Sequence, residues 1–211
     1  IGDNRGAGLV LADLGASLHW GGKEEEAIES LEESLRLLRA TGERWGIAYA
    51  LLWLGDTWFR MGDIQRAATS WEESLRLTRE LGDDYLMGWS LGGLADVARL
   101  RADYKRATGM FKEALSLYQS SGNKFGPPFS LEALGLVAAA LGDAKRAARL
   151  WGAASAWREA INQPLPPAYQ RDYAASMTQA RTQLGEKVYA SAWSEGYAMS
   201  PEQAIALAVE E

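Results

Sequence analysis

The side chains that could do chemistry in this 211-residue chain are mostly acidic, basic and aromatic, and none stands at a spacing that a catalytic set requires. Nucleophilic catalysis by a Ser–His–acid arrangement needs a histidine, and His19 is the single one, next to Trp20. Its place near the end of an apolar-periodic stretch reads as a partly exposed histidine closing a helix. Glu24-Glu25-Glu26 falls in the first turn of a helix, where the helix dipole favours acidic side chains, which is a simpler reading than a metal site. Glu32-Glu33 and Glu72-Glu73, with Arg36 and Arg76 four residues on, read as solvated helix faces carrying i,i+4 pairs. Adjacent carboxylates alone make no acid–base couple. Gly21-Gly22 and Gly92-Gly93 lack both the lysine and the strand-to-helix setting of a phosphate loop, and no Gly-x-x-x-x-Gly-Lys-Ser/Thr is present. The expectation is therefore no catalytic residue, no cofactor and no metal.

Composition narrows the partner. A net charge of -6 with no basic run gives no electrostatic footprint for a phosphate backbone, so direct nucleic-acid binding is not expected. The absence of cysteine removes disulfides, thiolate metal sites and cysteine nucleophiles, and with it the cytoplasm is the expected location. No apolar run approaches the roughly 20 residues that span a bilayer, and no signal-peptide pattern opens the chain. Ile1 in place of an initiator methionine points to a fragment of a longer protein.

The elements that must position these side chains show in a self-similarity at an offset of 40 residues. Gly22-Lys23, Gly62-Asp63, Ala102-Asp103 and Gly142-Asp143 are each followed at one distance by Ala27, Ala67, Ala107 and Ala147, then by Leu31, Trp71, Phe111 and Trp151. Upstream, Leu14, Leu54, Leu94 and Leu134 precede Gly15, Gly55, Ala95 and Gly135. Apolar residues recur three and four apart, as in Leu11, Leu14, Leu18 and Leu31, Leu35, Leu38, which is the pattern of amphipathic helices. The Gly-Asp pairs supply a left-handed stop and a cap for the next helix, and Gly42, Gly82 and Gly122 mark a second break. Small residues at the Gly15 and Ala27 positions let two antiparallel helices approach, and residues such as Trp71 fill the space between pairs. Trp45, Trp53, Trp58 and Tyr85 are expected in the core or between repeats.

These residues resemble the tetratricopeptide repeat family over residues 8 to about 161. The Leu-Gly of the first helix, the Ala of the second, the large apolar residue a turn later and the small residue after it (Ser34, Ser74, Ala114, Ala154) stand at that family's spacing. The usual period is about 34, so each copy here is longer, and Arg39 and Arg79 replace the usual late proline. The resemblance implies an all-α fold, a right-handed α-solenoid of four helix-turn-helix repeats at approximately 5–41, 44–81, 84–121 and 126–161. It also implies that the first helices line a concave surface. The matching positions are Leu9, Tyr49, Trp89 and Phe129 in one row, Ala16, Asp56, Asp96 and Leu136 in a second, and His19, Phe59, Arg99 and Ala139 in a third, with Trp20, Arg60 and Leu100 adjoining. The expected groove residues are Tyr49, Asp56, Phe59, Arg60, Trp89, Asp96, Arg99 and Phe129, a mixture suited to a protein or peptide ligand. The basic clamp that co-chaperones of this family close on a peptide carboxylate is missing, because Asp56 and Asp96 stand where asparagine belongs.

Residues 162–211 break the period. Pro164, Pro166 and Pro167 end one element and open another. Tyr169, Tyr173, Met177 and Leu184 share one helical face, as do Tyr189, Trp193 and Tyr197, which predicts a hairpin capping the last repeat. Ser200-Pro201-Glu202-Gln203 matches a capping box. Together with Leu150-Trp151-Gly152-Ala153-Ala154, Pro164-Leu165-Pro166-Pro167 and Trp193-Ser194-Glu195-Gly196, this tail resembles the carboxy-terminal region of bacterial LuxR-type and related signal-transduction ATPase regulators. That resemblance implies a sensor or interaction module of a transcriptional regulator. Two other readings stay open: a free-standing scaffold, and a helical enzyme or small-molecule receptor, which would need a closed pocket with convergent polar groups between the repeats and the tail. Pairing of two chains through the first repeat, giving a homodimer, is a further open assembly.

Overall fold

A computed structural model describes residues 3–165 and 167–210, which contain eleven helices and no strand. In chain order these are α1 (Asn4–Trp20), α2 (Glu24–Thr41), α3 (Arg44–Arg60), α4 (Ile64–Leu81), α5 (Asp84–Leu100), α6 (Tyr104–Ser120), α7 (Gly126–Ala140), α8 (Ala144–Ala160), α9 (Pro167–Leu184), α10 (Glu186–Tyr197) and α11 (Pro201–Val209). The architecture is the expected all-α, tetratricopeptide-like solenoid. It divides into two compact units, residues 1–97 and 98–211, with the boundary inside α5.

The turns follow from local chemistry. Gly62 and Gly142 take positive φ (84° and 88°), and the next residue, Asp63 or Asp143, accepts a hydrogen bond from the backbone N–H of Arg66 or Arg146. Such a cap contributes about 1 kcal/mol. Lys23 stands at the same place before α2 and makes no side-chain cap, and Ala102 adopts the left-handed conformation (φ 59°) that glycine takes in the other copies.

In the first unit, α1 packs on α2, α3 on α4, and α2 and α1 both on α3. The small residues of the first helices are there because a large side chain of the second helix lies on them. A Cβ at Gly15 would meet Leu31, and one at Gly55 would meet the Trp71 indole. Trp71 is also covered by Gly93 of α5, so its ring is held between two glycine-bearing helices and is fully buried. Burial of a tryptophan on this scale contributes several kcal/mol. The repeated serine does more than keep the crossing narrow: Ser34 Oγ donates to the Gly8 carbonyl (2.7 Å) and Ser74 Oγ to the Ala48 carbonyl (2.8 Å), tying second helix to first.

The second unit repeats the device and adds the tail. A Cβ at Gly135 would overlap the indole of Trp151, whose Nε1 donates to the Glu132 carbonyl (3.1 Å). Helix α10 lies directly on α8, and α9 packs against α7, α8 and α10, with Tyr173 and Tyr189 buried. The two tail helices thereby cover the outer side of the last helix pair. Helix α11 starts with the Ser200–Gln203 capping box and turns back against α6, α7 and α8. Its last carbonyls accept from Lys112 Nζ and Arg146 Nη2, basic groups where the negative end of the helix dipole favours them. Pro166, Pro167 and Tyr169 of the predicted tail pattern lie outside the residues whose side chains are described.

Candidate partner-binding site

Six of the eight expected groove residues belong to the first unit, on α3 and α5. Tyr49, Asp56 and Arg60 follow at seven and four residues along α3 and so lie near one face. Their side chains are already engaged. Asp56 accepts from Trp71 Nε1 (3.0 Å), and the Phe59 ring packs on Trp71 with centroids 5.5 Å apart. Arg60 Nη1 donates to the carbonyl of His19 (2.6 Å), and its Nη2 pairs with Glu24 (2.7 Å), joining α3 to α1 and α2. Trp89 and Asp96 on α5 are half-buried. In the second unit Arg99 and Phe129 are half-buried too, and the Arg158 guanidinium sits 4.2 Å above the Phe129 ring.

Around Tyr49 the structure assembles an aromatic surface. The Trp45 and Tyr49 rings stack at 5.3 Å and 9°, Tyr49 meets Trp53 edge-on at 6.1 Å, and Trp53 meets Trp20 of α1 edge-on at 5.7 Å. Trp20 remains 50% exposed and Trp45 43% exposed. Of the two places expected for them, the core and the space between repeats, Trp45 and Tyr85 (44% exposed) are not in the core, and Trp45 Nε1 reaches forward to Asp83 next to α5 (2.9 Å), a contact between repeats. The i, i+4, i+8 spacing of Trp45, Tyr49 and Trp53 was visible in the sequence. What was not visible is that α1 leaves this stripe partly open instead of covering it.

His19 also corrects its expectation. It is 3% exposed, packed against Trp20 and Trp53, with Nδ1 3.1 Å from Thr57 Oγ1. Thr57 spends its own proton on the Trp53 carbonyl (2.7 Å), so its oxygen accepts, and His19 carries its proton on Nδ1. Burial and the neighbouring Arg60 push the imidazole down from 6.5 to about 3, so it stays neutral.

Asp56 shifts the other way. Burial pushes its carboxyl up from 3.8 to about 7, against the pull of the Trp71 indole and Arg60, and with a further push from Asp96. The native state then holds this proton more tightly than the unfolded chain. The stability that Asp56 contributes is complete below pH 3.8 and lost as pH rises through about 7. Asp56→Asn keeps an acceptor for Trp71 and cannot ionise. At roughly 1.4 kcal/mol per pKa unit, and with part of the shift lost to solvent screening, the variant is expected to be more stable than the parent by on the order of 2 kcal/mol near pH 8. Near pH 4 the difference should close. Urea denaturation across that range checks it; a difference independent of pH would contradict the assignment. His19 loses its contribution as pH falls from 6.5 towards 3, and because both chains share it, it cancels in the comparison.

Among the described residues no group of three or more His, Asp or Glu side chains is placed to hold a metal ion, and no helix is long and apolar enough to cross a membrane.

Residues 46–120 match the family model of the tetratricopeptide repeat. No curated protein is significantly similar to the chain in sequence. Two solved structures that resemble it are forms of the nearly identical tetratricopeptide-like repeats of a Podosopora anserina protein described as a kinesin light chain. One of them, a glutamine-to-methionine variant, has a TM-score of 0.61 at 15% identity, covering 98% of this chain and 96% of that one. The other has a TM-score of 0.58 at 16% identity, covering 94% and 93%. At such identities the likeness concerns the fold. Residues 46–120 thus match the tetratricopeptide repeat, whose copies generally mediate contacts between proteins, and the fold around them resembles that of tetratricopeptide-like repeats.

Proposed function

We propose that the chain is a protein- or peptide-binding repeat domain whose first unit seats its partner on the first helices, with Trp20, Trp45, Tyr49 and Trp89 as anchors. The observation that supports this reading is the contiguous run Trp45–Tyr49–Trp53–Trp20, two of whose indoles are about half exposed. Tryptophan and tyrosine contribute large contact areas at small entropic cost, and they dominate the residues whose truncation weakens interfaces. The surrounding charge is acidic: Asp13 acts on the Tyr49 hydroxyl, Asp96 acts on Asp56, and Arg60 is already paired with Glu24. A partner segment with an apolar anchor flanked by lysine or arginine complements that surface. On the second unit, Arg99 and Phe129 are the proposed contact residues. The resemblance of the tail to bacterial signal-transduction ATPase regulators supports a finer reading, in which partner binding biases modules elsewhere in a longer transcriptional regulator.

Selection of short displayed peptides against the chain tests the proposal. Recovered peptides should be enriched in lysine or arginine beside an aliphatic or aromatic residue. Trp20→Ala combined with Trp45→Ala should weaken their binding at least about tenfold, since each anchor of this kind contributes more than about 1 kcal/mol. Helicity by circular dichroism should be unchanged. Equal affinity of the variant and the parent for the selected peptides would place the binding surface elsewhere.

A further inference from the structure

The aromatic surface of the first unit is built more specifically than a generic peptide groove requires. Trp45 and Tyr49 of α3 stack almost parallel, at 9°, and Trp53, one turn on, meets Tyr49 edge-on at 83°. Trp20 of α1 meets Trp53 edge-on in turn, at 70°. The rings therefore form a short ladder of faces and edges. From Trp45 to Trp53 the ladder runs along two helical turns, roughly 12 Å at about 1.5 Å per residue. That length matches about four residues of polyproline II helix at roughly 3.1 Å each.

Hydrogen-bonding capacity narrows the occupant further. Nε1 of Trp20, whose ring is 50% exposed, makes no hydrogen bond among the described residues. A free donor on an aromatic surface suits a partner with free carbonyl groups. An α-helical segment has used its carbonyls internally, except in its last turn. A β-strand keeps them free, but it also carries N–H groups that need an acceptor edge, and the described residues contain no strand. A proline-rich segment in the polyproline II conformation leaves its carbonyls open, has few N–H groups, and brings flat pyrrolidine rings to pack on indole faces. Its conformation is set before binding, so little entropy is lost on docking.

Charge supplies the flanks. Asp13 of α1 acts on the Tyr49 hydroxyl, and Asp83 accepts from Trp45 Nε1, so a carboxylate stands beside each ring of the stacked pair. Neither carboxylate meets a cation among the described residues, because the arginines of α1 and α3 are spent elsewhere: Arg5 on Glu43, Arg44 on Glu80 and Arg60 on Glu24. A lysine or arginine of the partner can therefore reach either one without displacing an internal pair, and the aromatic faces favour its charge as well.

We propose that this surface binds a proline-rich segment in the polyproline II conformation, with Trp20 donating to a backbone carbonyl and a flanking lysine or arginine paired with Asp13 or Asp83. The proposal rests on the reading of the first unit as a peptide surface, and adds the conformation and composition of what it takes.

Titration of the full chain with synthetic peptides, followed by nitrogen–proton correlation NMR at the indole N–H groups of Trp20 and Trp45, tests it. The peptide Lys-Pro-Pro-Leu-Pro-Pro-Lys, blocked at both ends, should shift both signals with a dissociation constant on the order of 0.1 mM. Its counterparts with alanine for every proline, and with glutamate for both lysines, should each bind at least about tenfold more weakly. Trp20→Phe keeps a ring and loses the donor, and should weaken the proline peptide about fivefold, the ordinary contribution of one hydrogen bond. The proposal is overturned if the alanine peptide, or a longer lysine-bearing amphipathic helix, binds these indoles as tightly as the proline peptide. It is also overturned if the proline peptide moves neither indole up to about 2 mM. In both cases, display-selected peptides that lose affinity in the Trp20→Ala, Trp45→Ala double variant leave the peptide surface itself standing. Selected peptides that bind the double variant as well as the parent remove that surface, and this proposal with it. The peptide series on the unaltered chain decides even where Trp20→Phe folds poorly.

Discussion

Replacing Glu132 by alanine is expected to destabilise the second unit by about 3–5 kcal/mol, the cost of leaving a buried guanidinium without its counter-charge. Glu132 and Arg158 side chains are 6% and 5% exposed, and they meet through two parallel hydrogen bonds. Burial pushes the Glu132 carboxyl up and the guanidinium pulls it back, whereas arginine has no corresponding escape because it does not deprotonate in a protein. An orphaned Arg158 must therefore draw in water or swing out, and either route loosens Phe129 beneath it and Trp151 beside it. A second replacement separates this cost from the value of the pair. Glu132→Leu together with Arg158→Met removes both charges and should recover most of the loss, because apolar side chains of similar volume replace buried ion pairs at little cost. Urea denaturation followed by circular dichroism and tryptophan fluorescence gives both numbers. A loss below about 1 kcal/mol in Glu132→Ala would show that Arg158 reaches solvent in the native state.

A single methyl group at Gly196 should have a comparable effect. Helices α8 and α10 cross with their backbones in contact: a Cβ at Gly196 would overlap the carbonyl of Arg149, and one at Gly152 would overlap the carbonyl of Trp193. The obstacle is main chain in both cases, so no rotamer change relieves it. Gly196→Ala must push α10 off α8 and uncover Tyr189 and Ala192, which are now buried. The expected loss is about 3 kcal/mol or more, which for a chain of this size lowers Tm by roughly 6–12 °C. Gly109 makes the opposite prediction and serves as the control. It lies within α6 with nothing within 4 Å of a Cβ, and Gly109→Ala should raise stability by about 0.5–1 kcal/mol through helix propensity alone. Thermal unfolding of the two variants reads both signs. Amide hydrogen exchange in α10 should accelerate in Gly196→Ala and stay unchanged in Gly109→Ala.

The helices and their stops were legible without a structure, because they depend on short-range physics: apolar spacing of three and four, Gly-Asp turns, and the Ser200–Gln203 capping box all act within a few residues. The repeat made the pairing of first and second helices legible too, since Gly55 and Trp71, or Gly135 and Trp151, recur in register and one must receive the other. Burial of individual polar and aromatic residues was not legible in this way. His19 reads as a helix-end histidine, and only the arrival of Thr57 and Trp53 from α3 encloses it. Trp45 and Trp53 look alike on one helical stripe, yet one is exposed and the other half-buried. Asp56 reads as a groove carboxylate, and the structure turns it onto the Trp71 indole. The pairing of Glu132 with Arg158 joins residues 26 apart that no periodicity relates. Repeats, turns and helical tail thus follow from residue order alone, because they rest on contacts between near neighbours or between copies of one pattern. Which charges and rings face water was settled by the folded arrangement, because that depends on what a distant helix covers.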